Sequence, residues 1–373
     1  MVVEEFSHLV KETSLNFLDE LRNKDSKYSF QPMTKGTTDV GLSLRLGFSI
    51  YALKIFYMST DWENLSTKDK EEWVNFINSF QSNVVGFPDN SFIDSAYLDY
   101  FKKINLKLKL KDLTKATLNK GFNRQYELST NFIKNSIRAE TKQCIATLDQ
   151  VGFKNKKIYS DFPKRDIQDF LSSFDWSKPW NAGAQFAGIS VFSKTQISSN
   201  DEYVEIKSEL INFISKKVNT DDGAYYIGSQ PSMTQAINGA MKVITGLDWL
   251  DERIHFPEKL IDLCLNTNPK NEGCDLVDMV YVLYRCSLET EYKRNEIINY
   301  FNEIIPIVKS HYFEESGGFS YYLERSQQNY YGVQISKGLN TPDIHGTILL
   351  TWAIAMMHEV VNPEDNIWKI IKP

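Results

Sequence analysis

Asp343-Ile344-His345 carries the sharpest chemical signal in the chain. An imidazole titrates near neutral pH, so His345 is a candidate proton-transfer group, with Asp343 as the carboxylate that orients it. Asp343 equally suits a helix N-cap, because it follows Pro342 and precedes the apolar run Ile348-Leu349-Leu350. Upstream, the stretch 326–333 is longer than a turn requires and holds Tyr330 and Tyr331, with Lys337 close behind. Either tyrosine can act as the second acid/base group. Asp222, in Asn219-Thr220-Asp221-Asp222, reads as a turn residue, with a catalytic acid as the alternative.

Aromatic platforms and amides supply a candidate binding set. Trp176, Trp180 and Asn181 form one cluster; Tyr225, Tyr226 and Gln230 follow the Asp222 turn; Tyr322 and Lys337 flank the long loop. Rings mixed with hydrogen-bonding groups suit a ligand with hydroxyls and apolar faces, such as a sugar. The alternative for the two tryptophans is a hairpin staple around Pro179. Asp275 and Asp278 lie three apart and share a helix face, suiting acid/base work or helix capping.

The elements that must position these groups are repeated. An amphipathic helix leads into a polar Gly-aromatic turn, and a second helix of small and apolar residues follows. The clearest copy runs from Ile206 to Trp249: Leu210, Ile211, Phe213 and Ile214 line one face, Asp221-Asp222-Gly223-Ala224-Tyr225-Tyr226 turns the chain, and Met233 to Leu247 forms the second helix. The last copy has Gly317-Gly318-Phe319-Ser320, then an apolar helix to Met357. Weaker copies bring the count to about six hairpins, a period that signals an array. Residues 93–138 interrupt the array as an insertion. Within it, Asn105-Leu106-Lys107-Leu108-Lys109-Leu110 fits a short strand or an edge helix equally well.

Composition narrows the function classes. With 373 residues, 42% hydrophobic and 13% aromatic, the chain supplies an ample core, and no linker divides it. Net charge is −6 with no basic block, so no nucleic-acid partner is expected. The chain holds no run of ~18 consecutive apolar residues, so no transmembrane segment is expected. Four cysteines without CxxC spacing suit reduced thiols, and a cytoplasmic location is expected.

The phrase Glu72-Trp73, Phe76-Ile77, Phe80-Gln81, Gly86-Phe87, Asp89 resembles the repeat of the α/α-toroid superfamily, which includes terpenoid cyclases and protein prenyltransferase β-subunits. Asp222-Gly223-Ala224-Tyr225-Tyr226 and Gly317-Gly318-Phe319-Ser320 resemble the turns that follow in that repeat. The resemblance spans roughly 66–357 and implies an all-α (α/α)6 barrel whose cavity opens where the turns converge. It departs from the prenyltransferase zinc site: Val280 stands where a Cys ligand is required, and His345 is shifted by one. No metal or other cofactor is therefore expected. Asn219-Thr220-Asp221-Asp222 resembles the D-x-D-D acid of cyclases except at its first position.

The sequence thus predicts a single (α/α)6 toroid over 1–373, acting on a small-molecule substrate. The leading expectation is metal-independent acid/base chemistry of lyase or isomerase type on a carbohydrate-derived molecule. The alternatives are a terpenoid-cyclase-like enzyme with Asp222 or Asp343 as proton donor, and a non-catalytic binding toroid.

Overall fold

The computed structural model describes residues 2–122, 126–269 and 272–373. The described chain is mostly helical. In order the helices are α1 (Val3–Leu21), α2 (Asp39–Ser43), α3 (Leu46–Met58), α4 (Asp61–Asn64), α5 (Thr67–Asn78), α6 (Ser95–Lys103), α7 (Asn105–Phe122) and α8 (Ser129–Gln150). They continue as α9 (Ile167–Ser172), α10 (Pro179–Gln196), α11 (Asn200–Ile214), α12 (Met233–Trp249), α13 (Pro257–Leu265), α14 (Gly273–Ser287), α15 (Arg294–Lys309) and α16 (Ile344–Val361). Strand structure among the described residues is confined to short antiparallel pairs, such as 312–313 with 318–319 and 329–330 with 333–334.

Six helices pack in a cycle. α3 meets α8, α8 meets α10, and the series continues through α12, α14 and α16 back to α3. Other helices pack against this cycle: α1 on α16 and α3, α5 on α3, α7 on α8, α11 on α10, α13 on α12 and α14, α15 on α14 and α16. Sequence pattern explains the division. α11 buries Ile206, Leu210, Phe213 and Ile214, spaced to form one stripe, and leaves its polar face outside. α3 and α16 are apolar nearly all round, as helices covered on both faces must be. By length and composition α16 would pass as a membrane span, yet most of it is buried against its neighbours.

Small residues set the closest approaches. A Cβ at Gly239 of α12 would stand 2.5 Å from Pro179, and one at Gly246 would stand 2.5 Å from the Phe186 ring, so α10 and α12 dock through glycines. Helix starts are capped where side chains permit: Ser232 accepts from Gln235 N, Ser199 from Glu202 N, and Asp343 from Gly346 N.

The 93–138 interruption comprises α6, α7 and the start of α8, which begins well before Arg138. Residues 123–125 within it lie outside the described residues. The alternating run Asn105–Leu110 is helical, in α7.

Residues 362–373 run across the C-terminal ends of the cycle. Trp368 Nε1 donates to Ser7 Oγ (2.7 Å), Lys369 N to Met58 O (2.9 Å), and Trp249 Nε1 to Pro373 O (3.1 Å). Gln150 and the Lys372 backbone exchange two hydrogen bonds, of 2.6 and 2.9 Å. The Lys372 ammonium joins Arg285 on Asp248.

Candidate active site

The sequence-predicted residues divide into two groups. Asp343 is the N-cap of α16 and is 1% exposed. Its Oδ1 accepts from Gly346 N (2.8 Å), and its Oδ2 accepts from Tyr321 N (2.8 Å) and Gln327 N (3.0 Å). Burial pushes its carboxyl up to about 6, against the pull of those backbone donors. Each oxygen is occupied, and no hydrogen bond joins this carboxylate to the His345 ring. Of the two roles open to Asp343, the geometry displays the cap.

His345 instead lies between two tyrosines. Its ring stacks on Tyr51 at 4.9 Å and 2°, and on Tyr321 at 5.0 Å and 25°. Nδ1 is buried without a hydrogen-bond partner. Burial first, then the charges of Lys54 and Lys242, lower its pKa to about 3, so the imidazole is neutral at physiological pH. A neutral imidazole donates or accepts a hydrogen bond; it is a weak base.

Tyr330 reaches the same interior. Its hydroxyl donates to Glu140 Oε2 at 2.5 Å, and its ring meets Tyr51 at 6.2 Å and Phe48 at 5.3 Å. Gly47 makes this pair possible, because a Cβ there would overlap the Tyr330 hydroxyl and stand 2.8 Å from Glu140 Oε1. Burial, partly offset by the Tyr330 hydrogen bond, raises the Glu140 carboxyl to about 7. A cavity of about 20 Å³ beside Gly47, Tyr97, Glu140 and Tyr330 has room for one water. Tyr331 stacks edge-on against Tyr330 (4.7 Å) and takes a left-handed backbone (φ 44°); its carbonyl accepts from Tyr97.

Among the described residues, the other predicted residues share no hydrogen bond or cation contact with this interior, with one exception. Asp222 is held in its turn, accepting from Ala224 N (2.9 Å), the Tyr226 hydroxyl (2.9 Å) and Gln230 Nε2 (3.3 Å). Tyr225 is buried, its hydroxyl 3.2 Å from His255 Nδ1. Trp176 donates to Leu171 O and packs on Phe213, which is the staple geometry. Asn181 and Lys337 are exposed, and Tyr322 stacks under the Arg325 guanidinium. Trp180 is the exception: half exposed, it carries the Lys242 ammonium 5.5 Å above its ring.

Lys242 opens onto a cluster of lysines that the sequence reading missed, beside the carboxylates Asp275 and Asp278 that it singled out. Lys54 from α3, Lys142 from α8 and Lys242 from α12 act on one another electrostatically. Burial first and the neighbouring lysines next bring Lys142 down to about 7; Lys54 is lowered to about 8, again chiefly by burial. From α14, burial pushes Asp278 up to about 6 and Cys274 up to about 11, and both respond to Lys242. Asp275 accepts from Asn238 Nδ2 (2.9 Å). Five of the six helices of the cycle thus contribute a titratable group to one electrostatically coupled interior. Among the described residues no group of three or more His, Cys, Asp and Glu side chains is placed to hold a metal ion.

Compared with known proteins, the chain matches no family model, no curated protein and no solved structure.

Proposed function

We propose that the six-helix cycle is an (α/α)6 toroid and that the protein is an acid/base enzyme of lyase or isomerase type, acting on a small polar substrate in its interior. The observation carrying this reading is the Glu140–Tyr330 pair: a buried carboxyl held near pH 7, bonded to a phenol and facing a space for one water. A group whose pKa lies near the working pH is both a competent base and a competent acid.

Glu140 takes the proton from the substrate, and Tyr330 stabilises the resulting charge by its hydroxyl. His345, neutral and clamped between Tyr51 and Tyr321, positions a substrate oxygen. Trp180 at the mouth offers a stacking face. The terpenoid-cyclase alternative draws its proton from Asp222 or Asp343, and the hydrogen bonds on both carboxylates weigh against it.

The test is deuterium wash-in, followed by NMR in heavy water, across neutral sugars, sugar acids and sugar phosphates. Wild type should exchange a carbon-bound proton in at least one of them. Glu140→Gln should slow that exchange by ~10²–10⁴-fold. Exchange that survives the substitution, or no exchange across the panel, refutes the reading.

A further inference from the structure

Most lysines with ordered partners in this protein meet carboxylates: Lys27 meets Asp69, Lys207 meets Glu252, and Lys293 meets Asp262. The interior three do not. Among the described residues Lys54, Lys142 and Lys242 form no ion pair and donate no hydrogen bond; the one ordered partner is the Trp180 ring. The residues outside the description include no Asp or Glu. Of the nearby acids, Glu140 is bonded to Tyr330 and Asp275 to Asn238, while Asp278 feels the Lys242 charge without an ordered ion pair to it.

Clustered cations without a direct ion pair are costly, since desolvation and mutual repulsion both oppose them. Here three helices each contribute one: Lys54 is buried, and Lys142 and Lys242 are half-buried. α3 and α12 stand three steps apart in the cycle, and the charges of Lys54 and Lys242 act on each other across it. His345 Nδ1, buried and unpartnered, faces the same charges. We propose that Lys54, Lys142 and Lys242 form an anion site inside the helix cycle, which takes a small substrate bearing a phosphate or carboxylate group. Three ammonium groups act as rotatable point donors and accept either anion, and Trp180 covers the apolar face of the molecule that carries it.

This inference rests on the interior being the substrate site, as proposed above, but its readout is binding rather than turnover. Glucose, glucuronate and glucose 6-phosphate share one ring and differ in charge, so titration calorimetry with all three separates the sources. One of the two anions should bind wild type, and glucose should bind at least ~10-fold more weakly. Lys142→Met and Lys242→Met should each weaken the anion at least ~10-fold, the scale of a lost charged hydrogen bond. Lys68→Met, an exposed control on α5, should leave binding unchanged. Should a lysine variant fail to fold, salt decides: raising sodium chloride from about 50 to 300 mM should weaken anion binding to wild type several-fold.

Absence of anion binding, equal binding of glucose, or binding indifferent to both salt and lysine substitution overturns the site. Glu140→Gln keeps the two readings separable. If it binds the anion but no longer exchanges deuterium, both stand. If wild type exchanges deuterium on glucose alone and binds neither anion, the anion site falls and the acid/base reading survives.

Discussion

The Asp222 turn and the Asp343 turn grow from the same Gly-aromatic phrase and end in different environments. In the first, the carboxylate, Tyr226 and Gln230 satisfy one another at the protein surface. In the second, a longer loop separates the Gly-Gly pair from the helix start, and that extra chain folds inward. It delivers Tyr321 to His345 and Tyr330 to Glu140. Asp343 holds the loop by its backbone, through Tyr321 N and Gln327 N, while capping α16. One turn closes a hairpin; the other carries side chains to the site.

The largest difference between them should appear on removing the carboxylate. Asp343→Ala strands two loop N–H groups and one helix N–H in the interior, so it should cost about 3–5 kcal/mol. Asp222→Ala should cost less, about 1–2 kcal/mol, because Asp222 is only half-buried and its Gln230 partner is exposed. Chemical denaturation of both variants checks the ratio, and equal losses would erase the distinction.

Next in size is the inward loop's own anchor. Tyr330→Phe leaves Glu140 buried without its donor and should cost about 1–3 kcal/mol. It should also shift the pH profile of any turnover, an effect that a purely structural phenol would not produce.

A smaller effect concerns pH. Glu140 keeps its proton to about pH 7 in the fold against 4.5 as its ordinary value, so stability is lost as pH rises through that window. Lys142 loses its proton near 7 in the fold against 10.5, so the unfolded chain binds more protons above pH 7 and stability rises with pH there. Together they place a shallow minimum near neutrality. Thermal midpoints across pH 5–10 should show it, with Glu140→Gln flattening the acid limb and Lys142→Met the alkaline limb.

The smallest expected effect has the opposite sign. Lys142→Met should raise stability at pH 7 by up to about 1 kcal/mol, since it removes a cation that has no partner in the folded protein. Destabilisation would mean that the lysine supports the fold itself.

The helices were legible because period and caps agree: Ile206 to Trp249 fold as read, and Asp343 caps the start of α16. The site was legible only in part. His345 and Tyr330 were found because they sit beside turns, where chemistry is habitually sought. Glu140, Lys54, Lys142 and Lys242 lie mid-helix. A signal existed for two of them: Lys54 is the sole charge in α3, and Lys242 the sole cation in α12. For Lys54, isolated in a helix apolar on nearly every side, there is no solvent face, so it must point at something. Asn105–Leu110 shows the converse limit, because alternation over six residues fits either structure and only the continuation of α7 decides it.

Residues 362–373 give the cycle a kinetic character. They join Trp368 to Ser7 and Lys372 to Gln150, partners separated by 361 and 222 positions. Such remote pairings form late, because the intervening chain must first be ordered. The segment therefore works as a latch that snaps shut last and lifts first. Its detachment, rather than melting of any one hairpin, should set the half-life of the native state.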